Sequence, residues 1–163
     1  MSQAGRRLVD DHEDLHQLLE KLKKALHETD AGVARNVLDL FWARLAVHIR
    51  AEHVRLFPAV LDAARKNSSV SLETAQSVIA QLREDHDFFM HELASAISKD
   101  GELSTIINAV EERLDAHNEL EEKQIYALIG SILSEEEQAQ LASQINEELL
   151  KRPPRFTAEV WPG

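Results

Sequence analysis

Residues 44–57 read RLAVHIRAEHVRLF, an apolar rhythm of the kind that buries one face of a helix, yet His48 and Glu52 stand where that rhythm asks for leucine. Positions four apart on a helix are separated by about 40° around its axis, so both side chains face the same interior. Residues 113–126, RLDAHNELEEKQIY, repeat the pattern at an offset of 69, with His117 and Glu121 in the corresponding places. DDHEDLHQLL at 10–19 and EDHDFFMHEL at 84–93 repeat a second pattern, an Asp-His pair followed by apolar positions, at an offset of 74. The chain therefore reads as a duplicated helical hairpin.

Glycine and proline are few, five and four, and HETDAG (27–32), KNSSVS (66–71) and SKDGELS (98–104) separate long segments ahead of a C-terminal tail that holds three of the prolines. These breaks predict four long helices at roughly 6–28, 33–65, 72–98 and 104–133, without an alternating strand pattern. SEEE at 134–137 has the signature of a reciprocal cap, predicting a fifth helix with Leu141, Ile145 and Leu149 on its apolar stripe. Pro153 and Pro154 end it, leaving an extended tail that carries Phe156 and Trp161 and reads as a strap on the bundle. The expected fold is all-α: an antiparallel up-down-up-down four-helix bundle over 1–133, a C-terminal helix at 134–151 packed on it, and an extended tail at 152–163.

The composition fits one globular domain. Of 163 residues, 44% are apolar and 29% charged, enough for a real core. A formal charge of −11 opposes sequence-independent nucleic-acid binding, which needs a basic face. No apolar run approaches the roughly 18 residues of a membrane span, and MSQAGRRLVDDHEDLH lacks the apolar centre of a secretory leader, so a cytoplasmic protein without a membrane partner is expected. Cysteine is absent, which excludes thiolate metal sites and cysteine nucleophiles and leaves nitrogen and oxygen as metal donors.

Each predicted apolar seam carries a histidine: His12 between Leu8 and Leu15, His48 between Leu45 and Leu56, His86 between Leu82 and Phe89, His117 between Leu114 and Ile125. Any one of these could satisfy a core hydrogen bond. Four of them on four seams, with two matched glutamates, favour a shared partner, because buried imidazoles and carboxylates cost several kcal/mol unless paired or bound to metal. A pair of cations bridged by the carboxylates meets that need.

These residues resemble the hemerythrin-like, or HHE cation-binding, family over roughly residues 6–133: a histidine on helix one, H-x-x-x-E before LFP (56–58) on helix two, a histidine on helix three and H-x-x-x-E on helix four. The resemblance implies a non-haem di-iron centre held by His12, His48, His86 and His117 and bridged by Glu52 and Glu121, reacting with dioxygen, nitric oxide or peroxide. Oxygen-carrying members have a second histidine four residues after the first on helix three, where this chain has Met90. His16, four after His12, either completes the five-histidine set from the other side or leaves one iron with a vacancy. His53 stands where many relatives have glutamate.

Other readings are weaker. HEDLH at 12–16 matches the zinc-protease H-E-x-x-H pattern, but no strand is predicted to align a peptide. A ferritin-like site would need Glu-x-x-His on two helices, and only Glu13 with His16 provides it. His27 reads as a solvated helix-end residue; His53 and His91, about 140° from the seam residues, as surface or supporting histidines. Phe89, Met90 and Tyr126 read as packing, and Glu119 and Glu122 as a solvated face. Beside the di-iron reading stand an iron- or oxygen-responsive regulatory module contacting partners through Phe156 and Trp161, and a metal-free helical interaction protein.

Overall fold

A computed structural model describes residues 1–98 and 102–151 of the chain. Among them the elements are all helical: α1 (Gln3–His27), α2 (Ala31–Ala51), α3 (Phe57–Lys66), α4 (Leu72–Ser98), α5 (Leu103–Glu121), α6 (Ala127–Ile132) and α7 (Glu135–Leu150). The expectations for the tail, including Phe156 and Trp161, lie outside the described residues.

Local chemistry sets the ends. The Ser2 hydroxyl accepts the Gly5 N–H at 3.0 Å and starts α1, and Asp30 caps α2 by accepting from Val33 N–H at 3.1 Å. Between them Thr29 adopts φ 56°, the left-handed residue that closes many helices. The reciprocal cap predicted for the last helix is present, with Ser134 accepting from Glu137 N–H and Glu137 accepting from Ser134 N–H.

The second and fourth bundle helices each contain one wide turn absent from the sequence-based reading. Glu52–Leu56 and Glu122–Tyr126 are π-helical, joining α2 to α3 and α5 to α6 without interrupting the rod. Pro58 follows the first turn; it has no N–H for the carbonyl four residues back, which a wider turn accommodates. No proline follows the second, so proline does not account for both. A π turn inserts one residue and rotates all that follows. The buried face thus moves to Leu56, Phe57 and Val60 in one rod and to Ile125, Tyr126 and Ile129 in the other, leaving Leu128 only half-buried.

The four rods close a ring in which α1 packs on α2 and α5, α2 and α3 pack on α4, and α4 packs on α5. The core divides in two. One apolar cluster gathers Leu19, Leu22, Phe41, Leu45, Leu93 and Val110; the other gathers Leu8, Phe57, Val60, Leu82 and Ile129 together with Leu141 and Ile145 of α7. Between the two lies a layer of buried histidines and acids. Helix α7 packs on α1, α2 and the first π turn, and its buried Glu148 meets Arg55 at 3.2 Å and Lys151 at 2.8 Å.

Candidate metal centre

His12, His48, Glu52, His86, His117 and Glu121 converge, each at most 6% exposed. Two groups of potential ligand atoms result, Glu52, His86, His117 and Glu121 in one and His12, His48 and Glu121 in the other, with the atoms of each within 4.8 Å of one another. His16 is not brought in. It is exposed on the outer face of α1, because the four-residue step from His12 coincides with the edge of the seam, while Leu15 and Leu19 take the inward positions.

The outer nitrogens fix which way the imidazoles point. His48 Nδ1 lies 2.8 Å from Asp11 Oδ2, His117 Nδ1 lies 3.0 Å from Asp85 Oδ2, and His12 Nδ1 lies 3.0 Å from Glu122 Oε1. A carboxylate only accepts, so each Nδ1 carries a proton and each Nε2 is turned to the centre. His86 Nδ1 is backed by His53 Nε2 at 2.7 Å instead. Inside, His12 Nε2 and His48 Nε2 are 3.1 Å apart, and His86 Nε2 and His117 Nε2 are 3.2 Å apart. Facing ring nitrogens at that range need a proton or a metal cation between them.

The carboxylates say the same. Glu52 Oε1 and Glu121 Oε2 are buried and accept no hydrogen bond among the described residues. Glu52 Oε1 sits 3.4 Å from both His48 Nε2 and His86 Nε2, and Glu121 Oε2 sits 3.5 Å from His117 Nε2. Oxygen and nitrogen donors about 2.1 Å from a common ion are separated by about 3.0 to 3.4 Å. The donor set therefore fits a metal pair on chemistry as well as spacing.

Electrostatics show a deficit of positive charge. Burial and the Glu121 charge push the Glu52 carboxyl well up. Burial would raise Glu121 too, but the charge and hydrogen bond of His117, with His12 and His48, hold it well below the ordinary range. Burial opposes charge on His117, yet Glu121 and Asp85 outweigh it and raise its pKa to about 9. His48 is likewise raised, against burial, by Glu52 and Asp11. His86 moves the other way, lowered by burial and by the His117 charge. Protons thus occupy the room that a cation would take, and a metal would displace them.

Several participants escaped the sequence reading. Asp11 and Asp85 orient the H-x-x-x-E histidines and are themselves gripped by Arg44 at 3.0 Å and Arg113 at 2.8 Å; the repeated Asp-His pair was their signal. His53 and Glu122 occupy equivalent places, backing His86 and His12. Tyr126 is not mere packing: its oxygen lies 2.5 Å from Glu121 Oε1, 2.9 Å from Glu52 Oε2 and 3.1 Å from His12 Nε2. Phe89 packs edge-on against His117, while Met90 belongs to the apolar cluster. His27 and His91 are exposed.

Fold and centre together define an all-helical bundle with a buried, acid-balanced histidine site fitted to a cation. The model of the hemerythrin HHE cation-binding domain matches residues 4–129, and the chain belongs to that family. No curated protein and no solved structure gives a significant match. Among the described residues no helix is long and apolar enough to cross a membrane.

Proposed function

We propose that the centre would hold two iron ions, one on the His12 and His48 side and the other on the His86 and His117 side, with Glu52 and Glu121 shared between them, and that the protein binds or reacts with dioxygen, nitric oxide or peroxide there. The observation that carries this reading is the pair of orphaned carboxylate oxygens, Glu52 Oε1 and Glu121 Oε2, facing imidazole nitrogens in a dry core. Iron in such a site supplies reversible coordination of a small ligand or electron transfer to it. The chain's own residues do the rest: Asp11, Asp85, Glu122 and His53 hold the imidazoles in one tautomer and orientation, and the apolar clusters above and below exclude water. The deciding experiment is metal analysis with an optical spectrum of aerobically purified protein, repeated on His48→Ala/His117→Ala. Two irons per chain and their loss in the double variant are expected; no iron, with unchanged thermal stability in the variant, would overturn the reading.

One observation favours regulation as a second reading. Arg50 and Arg55 flank Glu52 in sequence, and both approach Glu148 of α7, at 3.7 and 3.2 Å. A change in how Glu52 is held would reach α7 through this clamp, so that metal occupancy would bias the docking of the C-terminal helix. Amide exchange of α7 with and without iron tests this, and equal protection in both states would reject it.

A further inference from the structure

The internal duplication makes the two halves of the centre comparable atom by atom. Asp11 corresponds to Asp85, His12 to His86, Arg44 to Arg113, His48 to His117 and Glu52 to Glu121, and the two π turns fall within one residue of the same place. The symmetry breaks at two positions. His53 corresponds to Glu122, and Phe57 to Tyr126. Phe57 stacks on His86 with its ring centre 6.0 Å away, whereas Tyr126, wholly buried, brings an oxygen into the His12 half.

That oxygen is oversubscribed. Three atoms lie within 3.1 Å of it, two of them carboxylate oxygens. The third is His12 Nε2, on a ring held from its far side by Glu122 at Nδ1. A phenol has one proton, which can serve only one of the three. The distances are instead those between donors around one ion, about 3.0 Å, with the Glu121 contact shorter. Placement points the same way: the Tyr126 oxygen lies against His12 and Glu121, in the smaller of the two groups of potential ligand atoms. Charge does too, because two carboxylates leave two divalent ions half neutralised in a site that excludes water, where uncompensated charge is expensive.

We propose that the Tyr126 oxygen is a metal ligand, a further donor to the ion on the His12 and His48 side, and that the two metal positions are therefore chemically unequal. This rests on the di-iron reading above. The anionic phenolate favours the ferric state in the His12 half, while the His86 half, lined by Phe57, has only imidazole and carboxylate donors.

The test is spectroscopic and uses the full chain loaded with iron in air. A ferric phenolate absorbs in the visible by charge transfer from ring to metal, and Raman scattering excited in that band shows phenolate ring modes, which imidazole and carboxylate ligands do not produce. The wild type is expected to show both. Tyr126→Phe should lose the band and bind one of the two ions tenfold or more weakly in chelator competition, and Phe57→Tyr/Tyr126→Phe, which moves the phenol to the other half, should restore the band. Wild type with two irons but no phenolate modes, or Tyr126→Phe with an unchanged spectrum and unchanged affinities, overturns this inference and leaves the di-iron reading standing. Failure of the wild type to bind iron sinks both.

Discussion

Oδ2 of Asp11 lies 2.8 Å from Nδ1 of His48, a contact that joins the first helix to the second and turns Nε2 of His48 toward the centre. Asp85 does the same for His117 on the other side of the bundle. Supporting carboxylates of this kind fix the tautomer of an imidazole and raise its basicity as a ligand. Asp11→Asn and Asp85→Asn should therefore each weaken iron binding about ten- to a hundredfold while leaving all the direct donors in place. Competition against a chelator of known affinity measures the change, and wild-type affinity in both variants would remove these acids from the site.

The same aspartate makes the metal-free protein acid-sensitive. Burial would raise the pKa of Asp11, but the hydrogen bond and charge of His48, with Arg44, outweigh it and hold it at about 2 against an ordinary 3.8. A carboxyl whose folded value lies below its unfolded value stabilises the protein above the unfolded pKa, and that stability disappears as pH falls through the folded one. The window is therefore the descent from 3.8 to about 2, and the contribution is about 2 kcal/mol. Denaturant unfolding of the metal-free chain across this range should show the loss, and Asp11→Asn should flatten it.

The bundle and most of the centre could be read from the sequence because both rest on helical periodicity: Leu15, Leu45, Phe89 and Leu114 each stand three residues from His12, His48, His86 or His117, and Glu52 and Glu121 stand four beyond their histidines. What escaped depends on departures from that period. Tyr126 lies five residues beyond Glu121, about 140° off the seam on an ideal helix, and only the π turn carries it inward. His53 is one residue past Glu52, yet reaches His86 across the interface between two helices, a relation between rods that no single-helix pattern encodes. His16 failed in the opposite sense: an i+4 step is compatible with the seam, and only the placement of α1 in the ring turned it outward.

His16 and His86 thus make an informative pair. The first is exposed and the second buried at 1% exposure with its Nε2 facing His117. His16→Ala should keep the iron content and hold stability within about 0.5 kcal/mol of wild type, as surface substitutions do. His86→Ala should lose one ion or both. Metal analysis beside thermal melts reads both outcomes, and a drop in iron on replacing His16 would mean that α1 turns in solution to bring this residue inward.

Glu148 is the place where α7 is fastened to the metal-bearing part of the bundle. It is 3% exposed, with Arg55 at 3.2 Å, Lys151 at 2.8 Å and Arg50 at 3.7 Å, and Arg50 Nε and Nη2 have no hydrogen-bond acceptor among the described residues. Removing the carboxylate leaves that guanidinium without its nearest counter-charge in a half-buried position. Glu148→Ala should cost about 1 to 3 kcal/mol, a fall in Tm of about 2 to 4 °C for each kcal/mol. Amide exchange should rise first along α7, since Leu141 and Ile145 remain its principal anchors on the apolar cluster. Glu148→Gln, which keeps the volume and one acceptor, should recover part of the loss. Equal destabilisation by Ala and Gln would assign the clamp to charge alone, whereas no effect from either would show that apolar packing suffices to hold the helix.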